Sequence, residues 1–75
     1  MEYVAVTYRS RTQTVRFYEY LAGYGVRGEI INTPKEAGVG CGLSVKVSAS
    51  VFPIVRRAAK NFNGSSFAGF FLVKT

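Results

Sequence analysis

The sequence contains no histidine, no tryptophan and no aspartate, and its only cysteine is Cys41. Without histidine the chain cannot form a Cys–His catalytic dyad. One cysteine without histidine also cannot complete a closed metal site in a monomer, which excludes a metallochaperone of the C-x-x-C kind. Nor can a single cysteine form an intramolecular disulfide bond. If the chain carries a chemical site, we expect it at Cys41, with no metal and no cofactor.

Long apolar segments are missing as well. The longest apolar run, residues 67–73, is interrupted by Gly69, whereas a membrane-spanning helix needs about 20 apolar residues. We therefore expect no membrane contact. The first residues do not resemble a signal peptide, and a single free cysteine suits a reducing compartment, so we expect a cytoplasmic location.

The charge of the chain is strongly positive. Ten lysines and arginines stand against four glutamates, which gives a net charge of +6. On a chain of 75 residues, this balance favours anionic partners such as nucleic acid, a phosphate-bearing ligand or an acidic protein. Charge that serves only solubility is an equally good explanation. The length predicts a single domain over residues 1–75.

Hydrophobic periodicity predicts four strands and two helices. The predicted strands cover residues 3–9, 26–32, 43–47 and 67–74, and the first helix covers residues 13–24. Ser10 or Thr12 is expected to cap the first helix. The second helix is expected to begin after Ser48 or Ser50, with Pro53 in its first turn. The order β-α-β-β-α-β predicts a ferredoxin-like α+β sandwich, in which two helices cover one face of a four-stranded antiparallel sheet. Right-handed crossovers place the first and third strands in the middle of the sheet.

The same periodicity predicts which helix residues are buried. Apolar residues at three- and four-residue spacing mark one buried stripe on each helix. In the first helix these residues are Val15, Tyr18, Leu21 and Ala22; in the second they are Val51, Ile54, Val55, Ala58 and Phe62.

This topology brings three connections to one end of the sheet: the turn after the first strand, the loop between the second and third strands, and the turn before the fourth. Cys41 is therefore expected near Arg9 and Arg11. Its neighbours Gly40 and Gly42 can expose the sulfur and form an anion-binding nest of backbone N–H groups. Positive charge and a helix N-terminus would lower the pKa of the thiol. Alternatively, Cys41 is a small buried residue at the start of the third strand.

The segment around Cys41 resembles a known family. Thr33 and Pro34 follow the second strand, Lys35 adds a basic residue, and a short spacer leads to Cys41 and Gly42 at the start of an aliphatic strand. Within a β-α-β-β-α-β chain of this length, the pattern resembles the selenium/sulfur carrier protein-like domains, a small and largely uncharacterised bacterial family.

The resemblance implies that Cys41 accepts sulfur or selenium as a persulfide-type adduct and hands it to a partner. Donor and acceptor proteins would be its partners, and Arg9, Arg11 and Lys35 would stabilise the anion or steer an acidic partner. The chain would be a carrier and not an enzyme, because the motif contains no general base of suitable pKa.

Two other functions remain open. A nucleic-acid or anion-binding module would use the basic surface, although RNA-recognition modules of this fold class stack bases on aromatic residues of the two central strands. The first strand offers Tyr3, but the third offers no aromatic residue. The second alternative is a regulatory or structural subunit with an inert cysteine. Finally, the last strand is apolar on both faces at a predicted sheet edge, which predicts a homodimer that buries Phe70 and Leu72 or extends the sheet.

Overall fold

The computed structural model describes residues 2–35 and 42–74. Its elements follow the predicted order: β1 (Glu2–Tyr8), α1 (Arg11–Ala22), β2 (Glu29–Asn32), β3 (Leu43–Ser48), a 3-10 turn (Ala49–Val51), α2 (Phe52–Phe62) and β4 (Phe67–Lys74). The four strands form one antiparallel sheet in the order β2-β3-β1-β4. This confirms the ferredoxin-like α+β fold, with the first and third strands in the middle.

The pairing of the strands fixes which residues share a face. Val6 of β1 pairs with Val45 of β3 on one side and with Phe70 of β4 on the other. Because side chains alternate along a strand, these positions face the helices, and Thr7 and its partner Ser44 face the opposite side of the sheet. The helix-facing side forms the core with residues of both helices; its buried members include Val4, Val6, Tyr8, Val45, Val47, Phe17, Leu21, Val55 and Ala58.

The buried stripe of α1 differs from the prediction by one position. Thr14, Phe17 and Leu21 are buried, whereas Val15 and Tyr18 are 40% and 37% exposed. The hydroxyl of Thr14 lies within 3.3 Å of three backbone carbonyl oxygens. Because the hydroxyl hydrogen of Thr14 has acceptors inside the protein, this threonine can be buried. The hydrophobic periodicity had instead predicted that the next residue, Val15, is buried.

The helix ends follow the predicted caps. Ser10 precedes α1, and its hydroxyl accepts a hydrogen bond from the backbone N–H of Gln13 at 3.3 Å. Ser48 accepts one from Ser50 at 3.3 Å, and α2 follows with Pro53 in its first turn. The burial prediction is wrong for one residue of the α2 stripe. Ile54 is 42% exposed, because it lies about 100° around the helix from Val55, which is buried.

Tyr8 lies at the centre of an aromatic cluster. Its ring is 5.3 Å from that of Phe17, 5.6 Å from that of Phe62 and 5.4 Å from that of Phe67, measured between centroids. The side chain is 1% exposed, and its hydroxyl has no hydrogen-bond partner among the residues that the structure describes. Burial raises the pKa of Tyr8 from its ordinary value near 10 to about 12.

Replacing Tyr8 with phenylalanine is therefore expected to leave the free energy of unfolding unchanged or to raise it by about 1 kcal/mol at neutral pH, because an unpaired buried hydroxyl disappears. The unfolded chain ionises at lower pH than the folded one, so wild-type stability falls as pH rises from about 10 through about 12. The loss is at most roughly 3 kcal/mol. Denaturant unfolding of both proteins across this range measures the difference; parallel pH profiles would contradict the burial of the hydroxyl.

Candidate functional site

The candidate site lies at one end of the sheet, which we call the loop end; it contains Tyr8, Asn32, Leu43 and Phe67, where β1 and β2 finish and β3 and β4 begin. At this end the backbone N–H of Thr33 donates to the carbonyl oxygen of Gly42 at 2.9 Å. This bond extends the β2–β3 ladder beyond the strands and closes the base of the intervening loop.

Side-chain bonds hold the other connections to the same end. The hydroxyl of Thr14, in the first turns of α1, lies 3.3 Å from the carbonyl oxygen of Leu43. The side-chain oxygen of Gln13 accepts hydrogen bonds from the backbone N–H and the hydroxyl of Ser66 at 2.9 and 2.6 Å. The start of α1 therefore contacts both the start of β3 and the turn before β4, as the topology predicted.

The structure places most, but not all, of the predicted site residues. Cys41 and Gly40 lie outside the described residues. Thr33, Pro34 and Gly42 are half-buried at the loop end; Lys35, Arg9 and Arg11 are exposed.

Arg9 and Arg11 differ in their surroundings. Arg9 lies between β1 and α1, and its backbone N–H donates to the carbonyl oxygen of Ser66 at 2.9 Å. Arg11 begins α1 and lines a shallow depression on the outer side of that helix together with Arg16 and Glu19. Arg9 is thus fixed at the loop end by its backbone, whereas Arg11 borders a different surface.

A row of three hydroxyl groups runs through the sheet to the loop end. The hydroxyl oxygens of Thr7 and Ser44 are 2.8 Å apart, and those of Ser44 and Thr33 are 2.9 Å apart. We call Thr7, Ser44 and Thr33 the hydroxyl chain. Thr7 and Ser44 are buried, at 1% and 0% exposed, whereas Thr33 is half-buried. The chain therefore connects the interior of the sheet to the surface beside Gly42.

The number of hydrogens gives the hydroxyl chain a direction. Three hydroxyls carry three hydrogens, and two of these make the bonds within the chain. If Thr7 donates to Ser44 and Ser44 donates to Thr33, the remaining hydrogen belongs to Thr33 and can point outward. Any other arrangement leaves a hydrogen of Thr7 or Ser44 buried without an acceptor among the described residues, at a cost of about 1–3 kcal/mol. The arrangement in which Thr33 donates at the surface is the one that satisfies all three hydroxyls with the described residues; the distances themselves fit either partner as the donor.

The sequence analysis identified Thr33 but missed Thr7 and Ser44. Both lie on the face of the sheet away from the helices. The predicted topology makes β1 and β3 neighbours but does not give the register that pairs Thr7 with Ser44. Opposed Ser and Thr residues on neighbouring strands commonly bond to each other, and this was the signal that could have found the hydroxyl chain.

Gly42 has less need to be glycine than the sequence suggested. Its φ lies outside the left-handed region, and among residues 2–35 and 42–74 an added Cβ would meet only the hydroxyl oxygen of Thr33, at the ordinary contact distance of 3.6 Å. The backbone conformation at this position therefore accommodates other residues.

Two further tests concern metals and membranes. Within residues 2–35 and 42–74, no three Cys, His, Asp or Glu residues lie close enough together to hold a metal ion. In the same part of the chain, neither helix has the length and apolar character needed to cross a bilayer.

Comparison with known proteins gave one match. The model of a family described as "Putative Se/S carrier protein-like" matches residues 3–67. This range contains the loop end and both helices. No curated protein and no solved structure matches the chain.

Proposed function

Because this chain belongs to the Se/S carrier protein-like family, we propose that it carries sulfur or selenium as an adduct on Cys41 and passes it to an acceptor protein. The observation that carries the proposal is the hydroxyl chain. It ends at Thr33, whose backbone is bonded to Gly42, the residue directly after Cys41 in the sequence. A donor hydroxyl at this place suits an anionic sulfur group.

The loading step is a transfer between sulfur atoms. The Cys41 thiolate attacks the outer sulfur of a donor persulfide, so that the donor S–S bond breaks as a new S–S bond forms on Cys41. The donor leaves as a thiolate, and the proton of its persulfide stays on the transferred sulfur or passes to water. No external oxidant or reductant is consumed. Unloading is the same step with an acceptor thiolate as the attacking group.

The loop end would stabilise the negative charge of the loaded form. Thr33 can donate the free hydrogen of the hydroxyl chain, and a hydrogen bond to an anionic acceptor is about twice as strong as one between neutral groups. The N-terminus of α1 adds a partial positive charge, and Arg9 and Lys35 add full charges at the exposed rim. The chain binds and releases the adduct but does not transform it, which makes it a carrier and not an enzyme.

The test is direct loading. Reduced protein is incubated with glutathione persulfide, separated from it and weighed by intact mass spectrometry. We expect the mass of one added sulfur atom, which dithiothreitol removes. Cys41→Ser is expected to gain none while it keeps its circular dichroism spectrum. Thr33→Val, a change of nearly equal volume, is expected to load and then lose the adduct several times faster, because its donor is missing.

Two results would contradict the proposal. If wild-type protein takes up no more sulfur than Cys41→Ser, the cysteine is not a carrier site. If iodoacetamide modifies Cys41 only after the protein is unfolded, the thiol is packed inside the fold and cannot exchange sulfur.

A further inference from the structure

A second surface of the molecule combines positive charge with exposed aromatic rings. A groove of about 650 Å³ lies between α2 and β4. Its helix side carries Arg56, Arg57 and Lys60, all exposed, and its strand side carries Phe67 and Phe70. No acidic residue is among the groups that line it. We call this surface the basic groove.

The floor of the basic groove is apolar but not suited to base stacking. Phe70 packs edge-on against Phe52 with centroids 5.1 Å apart, and edge-on against Phe67 at 5.0 Å. Phe67 is 43% exposed, and its ring also packs edge-on against that of Tyr8. Nucleotides stack on free, parallel ring faces. Rings packed edge-to-face in a cluster do not offer such faces, but they can contact aliphatic groups.

The strand beside the groove has a free edge. In the described sheet β4 pairs only with β1 and ends the strand order, so its outer backbone N–H and C=O groups are open to another strand. An extended peptide can add to such an edge, with backbone hydrogen bonds giving affinity and alternate side chains giving specificity.

The spacing of the cations fits such a peptide. Arg56 and Lys60 are four residues apart on α2, which separates them by about 6 Å along the helix. Alternate side chains of an extended strand project on the same face at intervals of about 6.6 Å. Carboxylates at every second position of an added strand would therefore meet successive cations.

We infer that the basic groove and the edge of β4 form a docking site for an extended acidic segment of another protein. The segment adds to β4 as a fifth strand, its alternate carboxylates bind Arg56 and Lys60, and the methylene groups of these same acidic side chains contact Phe67 and Phe70, which lie on the same face. The inference does not depend on sulfur transfer at Cys41, because it concerns binding alone.

The position of the groove connects it to the loop end. Gly64 and Asn63, which line one end of the groove, belong to the turn before β4, and that turn is bonded to the start of α1. β3 and β4 are separated only by β1, so their starts are about 10 Å apart. A protein anchored in the groove would therefore also reach Gly42 and the start of β3 at the loop end.

A second copy of this chain fits the groove less well. Antiparallel pairing of two β4 strands would bring Lys74 of the other copy toward Arg56 and Lys60. Neither α2 nor β4 contains an acidic residue, so the contact would place like charges together, which is unfavourable across an interface. Leu72, 53% exposed on β4, is available to either occupant, and this makes the dimer an outcome to be tested.

The experiment titrates the full chain with a short synthetic peptide in which glutamate and valine alternate, followed by NMR and calorimetry. We expect amide shifts concentrated in β4 and α2, and an affinity that falls as salt rises. Arg56→Glu with Lys60→Glu is expected to weaken binding at least tenfold, a rough minimum for two reversed charge pairs. Arg16→Glu with Arg27→Glu, an equal change of charge at exposed positions elsewhere, is expected to change it less than about threefold.

Further measurements distinguish an added peptide strand from nucleic acid and from a second copy of the chain. A peptide methylated at alternate backbone nitrogens loses the bonds of an added strand and is expected to bind at least about tenfold more weakly. Equal binding by the groove variant and its control would overturn the inference. So would tighter binding of oligo-dT than of the peptide, or a dimer that forms through β4 in the absence of peptide, as measured by sedimentation.

Discussion

Phe17→Ala is expected to lower the free energy of unfolding by about 3–5 kcal/mol. The side chain is fully buried, and its ring packs against those of Tyr8 and Phe62 with centroids 5.3 Å away in both cases. A domain of this size has a total stability of roughly 4–11 kcal/mol. The loss of this one ring therefore removes a large part of the stability, and guanidinium unfolding measures it as a lower midpoint at nearly constant slope.

The matched control is Val15→Ala, two residues earlier on the same helix. Val15 is 40% exposed, and alanine is the better helix former, so we expect a change within about 0.5 kcal/mol. An equal loss of stability in the two variants would indicate that Val15 is buried, as the hydrophobic periodicity predicted. It would contradict the orientation of α1 in the structure.

Gly64→Ala is expected to destabilise the fold although it adds only one methyl group. A Cβ at this position would lie 2.6 Å from a ring carbon of Tyr8 and 3.0 Å from one of Phe62. Both rings are held in the aromatic cluster and cannot move away freely, so we expect a loss of about 1–3 kcal/mol from overpacking. Thermal and denaturant unfolding followed by near-ultraviolet circular dichroism, which reports on the aromatic residues, measure the effect.

Gly42→Ala makes the same chemical change where the structure has room. Since, in the described part of the chain, the added Cβ would meet only the hydroxyl oxygen of Thr33 at 3.6 Å, we expect stability within about 0.5 kcal/mol of wild type. A destabilisation as large as that of Gly64→Ala would show that the structure misplaces the start of β3. Because the fold is expected to survive, this variant also isolates any effect of Gly42 on sulfur loading.

The fold could be predicted from the sequence because its signals are local or follow from chain topology. Strand alternation, the cap at Ser10 and the position of Pro53 each depend on a few neighbouring residues. The strand order follows from the handedness of two crossovers.

Polar residues caused the main errors in predicting burial. Thr14, Thr7 and Ser44 are buried because their hydroxyls bond to groups that are distant in the sequence. A hydrophobicity pattern counts these residues as polar and shifts the stripe toward Val15. Such bonds become visible only when strand pairing and helix rotation are known together.

Only part of the candidate site could be predicted from the sequence. The proposed role of Cys41 comes from the sequence and the family, since the residue lies outside the described part of the chain. The hydroxyl chain was found only in the structure, because it depends on the register of β1 against β3 and on the position of Thr33, which follows β2.

The central place of β1 also has a consequence during protein synthesis. Of the four strands, β1 is synthesised first, yet it pairs with β3 and with β4, which are synthesised third and fourth. Pairing between distant segments requires closure of long loops and slows folding. The two middle strands cannot meet before β3 emerges, and Val4 and Val6 keep an open neighbour until residues 67–74 are free. Until β3 emerges, the nascent chain exposes an apolar strand with two free edges, which favours aggregation, and the sheet is complete only when β4 has also left the ribosome.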